Sequence, residues 1–241
     1  PDNFKKGYDV REVIATFADK ESFLEIQKDF ARNVVIGFAR MDGNVVGIVA
    51  NQPNFIAGSL DVDASDKASR FVRFCDCFNI PILTLEDVPG YMPGTKQEHN
   101  GIIRHGAKLL YAYAEATVPK VTLILRKAYG GAYIAMNSKN LGADYVFALP
   151  IAQLAVMGAE GAVDILHRKE IAASATPQET RKQLIAEYEA KYLNPYIAAK
   201  NGYIDEVISP ANVRDRLATA FDYLKNKKKA RLWRKHGNIP L

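Results

Sequence analysis

Two cysteines, four histidines and one tryptophan are the whole supply of those side chains in 241 residues. Cys75 and Cys77 stand two apart in FVRFCDCFNI, a stretch that reads as helical, so they face different directions. That spacing argues against a disulfide framework, and two thiols are too few for a cysteine-built zinc cage. Inert thiols in a reducing compartment, by default the cytoplasm, are the expectation. His99 and His105 lie six apart and no HExxH pairing occurs, so no metal is expected. GxSxG is absent, and GYMPGTK lacks the GxxxxGK[ST] spacing of a phosphate loop. Glu86 and Asp87 stand in tandem; on a strand, neighbours face opposite sides, which speaks against a cooperating acid/base pair. No apolar run approaches the ~20 residues that cross a bilayer, and the opening PDNFKKGYDVREVI has no secretory pattern. The first residue is Pro1 rather than Met, and a fragment or a processed product is one expectation from that. No Gly/Ser-rich linker divides the chain, which points to one domain.

Hydrophobic residues make up 48% and charged residues 24%, enough apolar matter for a folded α/β core. The net charge of +5 gathers near the end, where KNKKKARLWRK (225–235) holds seven Lys/Arg and no acid. Without interleaved aromatics or a reading motif, that run reads as a solvated helix end or a subunit contact rather than a nucleic-acid site.

Helical spacing runs over 9–19 and again over 20–30. Two β-rich runs then flank Asp42-Gly43, a tight-hairpin signal. A helix is expected over 63–80, capped by Asp63 or Ser65, then an apolar strand entering the loop VPGYMPG. A helix over 99–117 and a buried strand over 119–126 follow. DYVFALP and AQLAVMG read as short strands. Helices are expected over 159–172 and 177–202, with Pro177 at a first-turn position, then a last strand in 203–210 and a last helix over 212–233. Alternating strands and helices with near-continuous apolar strands define an α/β layered fold. Ligand sites of such sheets gather at strand ends, which here are VPGYMPG and RKAYGGAY.

Gly130 and Gly131 follow the apolar run VTLIL (121–125). If a helix opens near Ala132, its first N–H groups have no intrahelical partner and carry the positive end of the dipole. Two such groups make an oxyanion hole, and removing one donor costs about 3 kcal/mol of barrier. The same glycines equally suit close strand–helix packing.

The stretch from LTLEDVPGYMPGTKQEHNGIIRHGAKLL at 83 through AEGAVDILHRKEI at 171 resembles the carboxyltransferase β subunit of biotin-dependent acyl-CoA carboxylases, the acetyl-/propionyl-CoA carboxylase family. The likeness extends from NFKKGYDVREVIA to KHGNIPL and covers the family's C-terminal half. It implies a single crotonase-like ββα superhelix (the ClpP/crotonase fold) that receives carboxybiotin, the acyl-CoA lying mainly on the N-terminal half of a neighbouring subunit. It also implies that the backbone amides of Gly131 and Ala132 hold the ureido oxygen of biotin. Tyr129, Gly130, Pro89, Gly90, Tyr91 and Gly94 would line the cofactor pocket. The reaction implied is transfer of CO2 from carboxybiotin to the α-carbon of acetyl-CoA or propionyl-CoA, with main-chain donors, a dry pocket and no catalytic His or Cys. Ile134 would lie near the acyl group. Propionyl-preferring relatives often carry an acid there, so Ile134 leans toward acetyl-CoA unless it merely packs. Partners implied are a biotin carboxyl carrier and biotin carboxylase subunit, an N-terminal carboxyltransferase half and further copies of the chain. Neither nucleic acid nor a membrane is among them. A decarboxylase or transcarboxylase subunit would use the same pocket. A biotin-binding and oligomerisation module, inactive without its other half, is the non-enzymatic alternative.

Overall fold

Asp42 and Gly43 both take positive φ, 50° and 77°, the conformation that joins two twisted antiparallel strands by a two-residue turn. The strands it joins are β2 (Val34–Met41) and β3 (Asn44–Asn51), preceded by helix α1 (Val10–Phe17) and edge strand β1 (Leu24–Ile26). This computed structural model describes residue 1, residues 3–230 and residues 233–241. After the hairpin come α2 (Val62–Cys77), β4 (Ile82–Val88), α3 (Thr95–His99), α4 (Ile102–Glu115), β5 (Lys120–Tyr129) and α5 (Gly130–Ala135). Then follow β6 (Tyr145–Ala148), β7 (Gln153–Ala155), α6 (Ala159–Leu166), α7 (Arg168–Ala173), α8 (Pro177–Tyr192), α9 (Pro195–Lys200), β8 (Glu206–Val207) and α10 (Val213–Leu224).

The strands form one sheet in the order β1-β2-β3-β4-β5-β6-β8, with β7 pairing the far end of β5. The first three are antiparallel and the rest parallel. Every residue of β4 is buried, because helices cover both faces of the sheet. Leu83 and Leu85 face α1 and α10, where Ile14, Phe17, Leu217 and Phe221 close one core. Ile82 and Val88 face the opposite layer, formed by Ala68 and Phe71 of α2, Leu109 and Tyr113 of α4, and Ala132 and Ala135 of α5. Burying each Leu or Ile contributes about 2 kcal/mol, so the central strands are fixed in register from both sides.

Several expected boundaries move. Residues 20–30 hold no helix: β1 sits there between turns at Glu21 and Gln27, both with positive φ. Helix α2 is capped by Asp61, which accepts from the Ala64 amide at 2.9 Å, and not by Asp63 or Ser65. The helix expected over 159–172 breaks at His167, and the one over 177–202 breaks at Asn194, whose side chain caps α9. Pro177 does open α8. The last helix ends at Leu224 instead of 233; positions 231 and 232 of that expectation lie outside the described residues. Cys75 is buried in the α2 layer and Cys77 is exposed, as their helical spacing requires.

Candidate functional site

β4 and β5 run parallel, with Glu86 opposite Ile124 and, after a register shift, Val88 opposite Ala128. Both therefore end on one edge of the sheet, where the loop 89–94 and helix α5 emerge side by side. Asp87 and Arg126 lock these ends together. Arg126 Nε donates to Asp87 Oδ2 at 2.8 Å, Tyr8 Oη donates to the same oxygen at 3.0 Å, and the Lys127 amide donates to Oδ1 at 3.2 Å. Arg126 Nη1 reaches the carbonyls of Pro1, Asn3 and Lys6 at 3.1–3.3 Å. Burial pushes the Tyr8 hydroxyl far above the ordinary tyrosine value, and the Asp87 charge adds to it.

The loop after β4 turns on Gly90 and Gly94, with φ of 149° and 117° that side-chain-bearing residues rarely adopt. It is stitched to Leu60, whose N–H donates to the Gly90 carbonyl at 3.1 Å and whose carbonyl accepts from Met92 at 2.8 Å. The Tyr91 ring lies flush against Gly106 of α4: a Cβ built there would come within 2.9 Å of it. Burial raises the Tyr91 hydroxyl well above its usual range. On its other side Tyr91 faces Gly131, with 4.0 Å from Tyr91 Cδ2 to the point a Gly131 Cβ would occupy.

Helix α5 begins at Gly130, two residues before the expected start. Gly130 has φ of 61°, and a Cβ there would sit 3.1 Å from the Val156 carbonyl, so glycine is favoured. The Gly131 and Ala132 N–H groups belong to the first turn of α5, where the helix itself supplies no acceptor; Gly131 lines the adjoining cavity and Ala132 does not. Gly131 is exposed and Ala132 is buried against α4. A cavity of about 490 Å³ opens beside them, with Gly130, Gly131, Tyr133 and Ile134 on one wall. Leu154 and Ala155 of β7 and Tyr192, Ile197 and Tyr203 from the α8–α9 corner form the others.

The structure thus brings Gly130, Gly131 and Ile134 to one cavity. Tyr91 lines a smaller neighbouring one of about 260 Å³ with Ile102, Ile103 and Gly106. Pro89, Gly90 and Gly94 shape the loop and line neither. Tyr129 stands behind the helix start: its hydroxyl donates to Gln153 Oε1, and burial foremost pushes it up to about 12. The wall from α8 and α9 has no signal in sequence; its residues are ordinary helix-surface types 60 positions and more from the glycines. No group of three or more His, Cys, Asp or Glu among the described residues is placed to hold a metal ion. No helix among them is long and apolar enough to cross a membrane.

Residues 1–239 match the carboxyl transferase domain model. A Bacillus subtilis (strain 168) protein, provisionally named a propionyl-CoA carboxylase beta chain, is 62% identical over 241 residues, covering 100% of this chain and 48% of its own length. The methylmalonyl-CoA decarboxylase subunit alpha of Propionigenium modestum is 54% identical, covering 100% and 47%. The solved structure of transcarboxylase 12S, described as a hexamer with methylmalonyl-coenzyme A and methylmalonic acid bound, superimposes with a TM-score of 0.96 at 54% identity, covering 100% of this chain and 46% of that one. The chain spans about half the length of these relatives. Its architecture is the crotonase-like fold of such domains.

Proposed function

Because the chain belongs to the carboxyl transferase domain family, we propose that it forms the carboxybiotin-side half of a carboxyltransferase acting on a short acyl-CoA. The observation that carries this reading is the start of α5 at the wall of an apolar cavity, with Gly131 lining it and Ala132 next in the same first turn. Biotin, brought by a carrier domain of a partner, supplies the activated carboxyl group. The chain's own part is to bind and orient. Gly131 and Ala132 aim N–H donors at an oxygen that gains charge, a contribution of about 3 kcal/mol per donor in comparable sites. The absent side chain at Gly131 admits the bicycle. Leu154, Ala155 and Ile197 exclude water, which strengthens those hydrogen bonds. Tyr91, anchored on Gly106, holds the neighbouring loop against Gly131.

The acyl group is propionyl in preference to acetyl on the names of the relatives, against the lean drawn from Ile134. Two relatives named for methylmalonyl-CoA, the decarboxylase and the 12S subunit, support a second reading in which the same pocket removes or passes on a carboxyl group. Val156 on the cavity wall and Ile165 and Leu166 of α6 stand exposed, at 81%, 66% and 66%, apolar surface suited to a second copy or to the N-terminal half. The test is carboxylation of acetyl-, propionyl- and butyryl-CoA by the full-length subunit with a biotin-carrying partner. ATP-dependent carboxylation of propionyl-CoA is expected. Turnover only as methylmalonyl-CoA decarboxylation selects the second reading, and enoyl-CoA hydration with no carboxyl transfer overturns both.

A further inference from the structure

Four polar atoms beneath α5 have no protein hydrogen-bond partner although they are shielded from solvent: both carboxyl oxygens of Glu86, Tyr133 Oη and Asn137 Oδ1. They belong to one layer. Thr84, two residues before Glu86 on β4, bonds Tyr113 Oη of α4 at 2.8 Å, and Ile82 and Val88 pack on the same side. Thr84 is in register with Thr122, whose hydroxyl holds Asn137 through its carbonyl at 2.8 Å and its Nδ2 at 2.9 Å. That grip uses the donor end of Asn137 and leaves its Oδ1 unbonded. Tyr133 projects from α5, with its ring on the cavity wall and its hydroxyl buried. Glu86 itself is 0% exposed.

A carboxylate in such a place would be a bare charge in a low-dielectric layer, which costs several kcal/mol unless a cation or several donors meet it. None does. Asp87, next along the strand, is negative and raises the proton affinity of Glu86 further, after burial has lifted it well above the ordinary value. Arg126 of β5 engages Asp87 rather than Glu86, its buried Nη2 remaining unbonded, and the Lys127 ammonium donates to the Phe4 carbonyl at 3.3 Å. The remaining titratable groups facing this layer are Tyr113 on α4, Cys75 on α2 and Tyr133 on α5, and burial favours the neutral form of each. We infer that Glu86 is a positioning residue: a neutral carboxyl which, with Tyr133 and Asn137, forms a sealed polar layer that sets helix α5 and keeps negative charge from behind it.

The inference rests on the carboxyl-transfer reading in one respect, since the amides of α5 are there assigned to a developing anion. An ionised Glu86 behind them opposes that anion, so transfer fails on the alkaline side once Glu86 releases its proton, by about tenfold per pH unit beyond that point. The test uses the full-length subunit with its biotin-carrying partner. Infrared spectra at neutral pH are expected to hold a protonated carboxyl band that disappears in Glu86→Gln and shifts in Tyr133→Phe. The ratio of alkaline to neutral transfer rate is expected to rise at least several-fold in Glu86→Gln. If no band disappears in Glu86→Gln, or if that ratio stays at the wild-type value, the inference is overturned. Absence of transfer in the wild type overturns the functional reading instead, and the infrared result, which needs no turnover, tells the two failures apart.

Discussion

Arg126 Nε donates to Asp87 Oδ2 at 2.8 Å from a side chain that is 3% exposed, to one that is fully buried. The pair stands where β4 and β5 give way to the two loops of the candidate site, so its geometry is inherited by both.

Breaking it from one side is expected to be costly. Arg126→Met leaves Asp87 charged and unpaired, for a loss of about 3–5 kcal/mol. The double variant with Asp87→Asn is expected to recover part of that loss. Urea unfolding of the wild type and the two variants measures both terms, and equal midpoints for wild type and Arg126→Met would exclude the lock.

The two glycines of α5 differ in their tolerance. Gly130→Ala forces φ of 61° on a residue with a Cβ, 3.1 Å from a carbonyl, and costs about 1–2 kcal/mol. Gly131→Ala meets only Tyr91 at 4.0 Å, so the fold keeps its stability within about 1 kcal/mol. The added methyl narrows the cavity rim, and carboxyl transfer is expected to fall about tenfold, roughly 1.4 kcal/mol of barrier. Thermal melts beside rate measurements separate the two effects; full activity in Gly131→Ala would sink the assigned rim.

Tyr91 and Gly106 are expected to be coupled. Gly106→Ala drives a methyl to within 3.0 Å of the Tyr91 ring, an overpacking cost of about 1–3 kcal/mol. In a Tyr91→Leu background the same change is expected to cost less than half as much. A double-mutant cycle in denaturant gives the coupling, and strict additivity would show that the ring does not rest on α4.

Stability is expected to fall as pH rises above the ordinary glutamate value of 4.5, in part because of Glu86. Below the ordinary glutamate value of 4.5 both folded and unfolded states hold the proton. As pH climbs toward the raised folded value, the unfolded chain releases its proton and the folded one keeps it. That site then removes up to about 1.4 kcal/mol of stability per pH unit. Glu86→Gln abolishes the dependence, so its advantage over wild type in unfolding free energy grows with pH. Parallel pH profiles for the two proteins would show that Glu86 ionises normally.

The hairpin at Asp42-Gly43 and the buried runs of β4 and β5 were plain in the sequence, because turn chemistry and apolar continuity are local. The segment 20–30 misled because its turns are made by Glu21, Gln27 and Ala31, all with positive φ and none a glycine or proline. Its apolar spacing therefore resembled a helix. Gly130 and Gly131 announced one wall of the candidate site. Tyr192, Ile197 and Tyr203 on the other wall carry no composition or spacing that marks them, since only the packing of α8 and α9 brings them there. The significance of Glu86 was hidden for a related reason: strand alternation separates it from Asp87, but only the layer beneath α5 leaves its oxygens without partners.

The guanidinium that grips the carbonyls of Pro1, Asn3 and Lys6 lies 120 residues or more downstream of them. During synthesis those early residues emerge well before their anchor exists, and at typical elongation rates the wait is on the order of ten seconds. Throughout that interval the aromatic rings of Phe4 and Tyr8 lack the guanidinium that later lies over them. The segment 1–8 thus reaches its final place only after β5 has been made, a late step in the folding order.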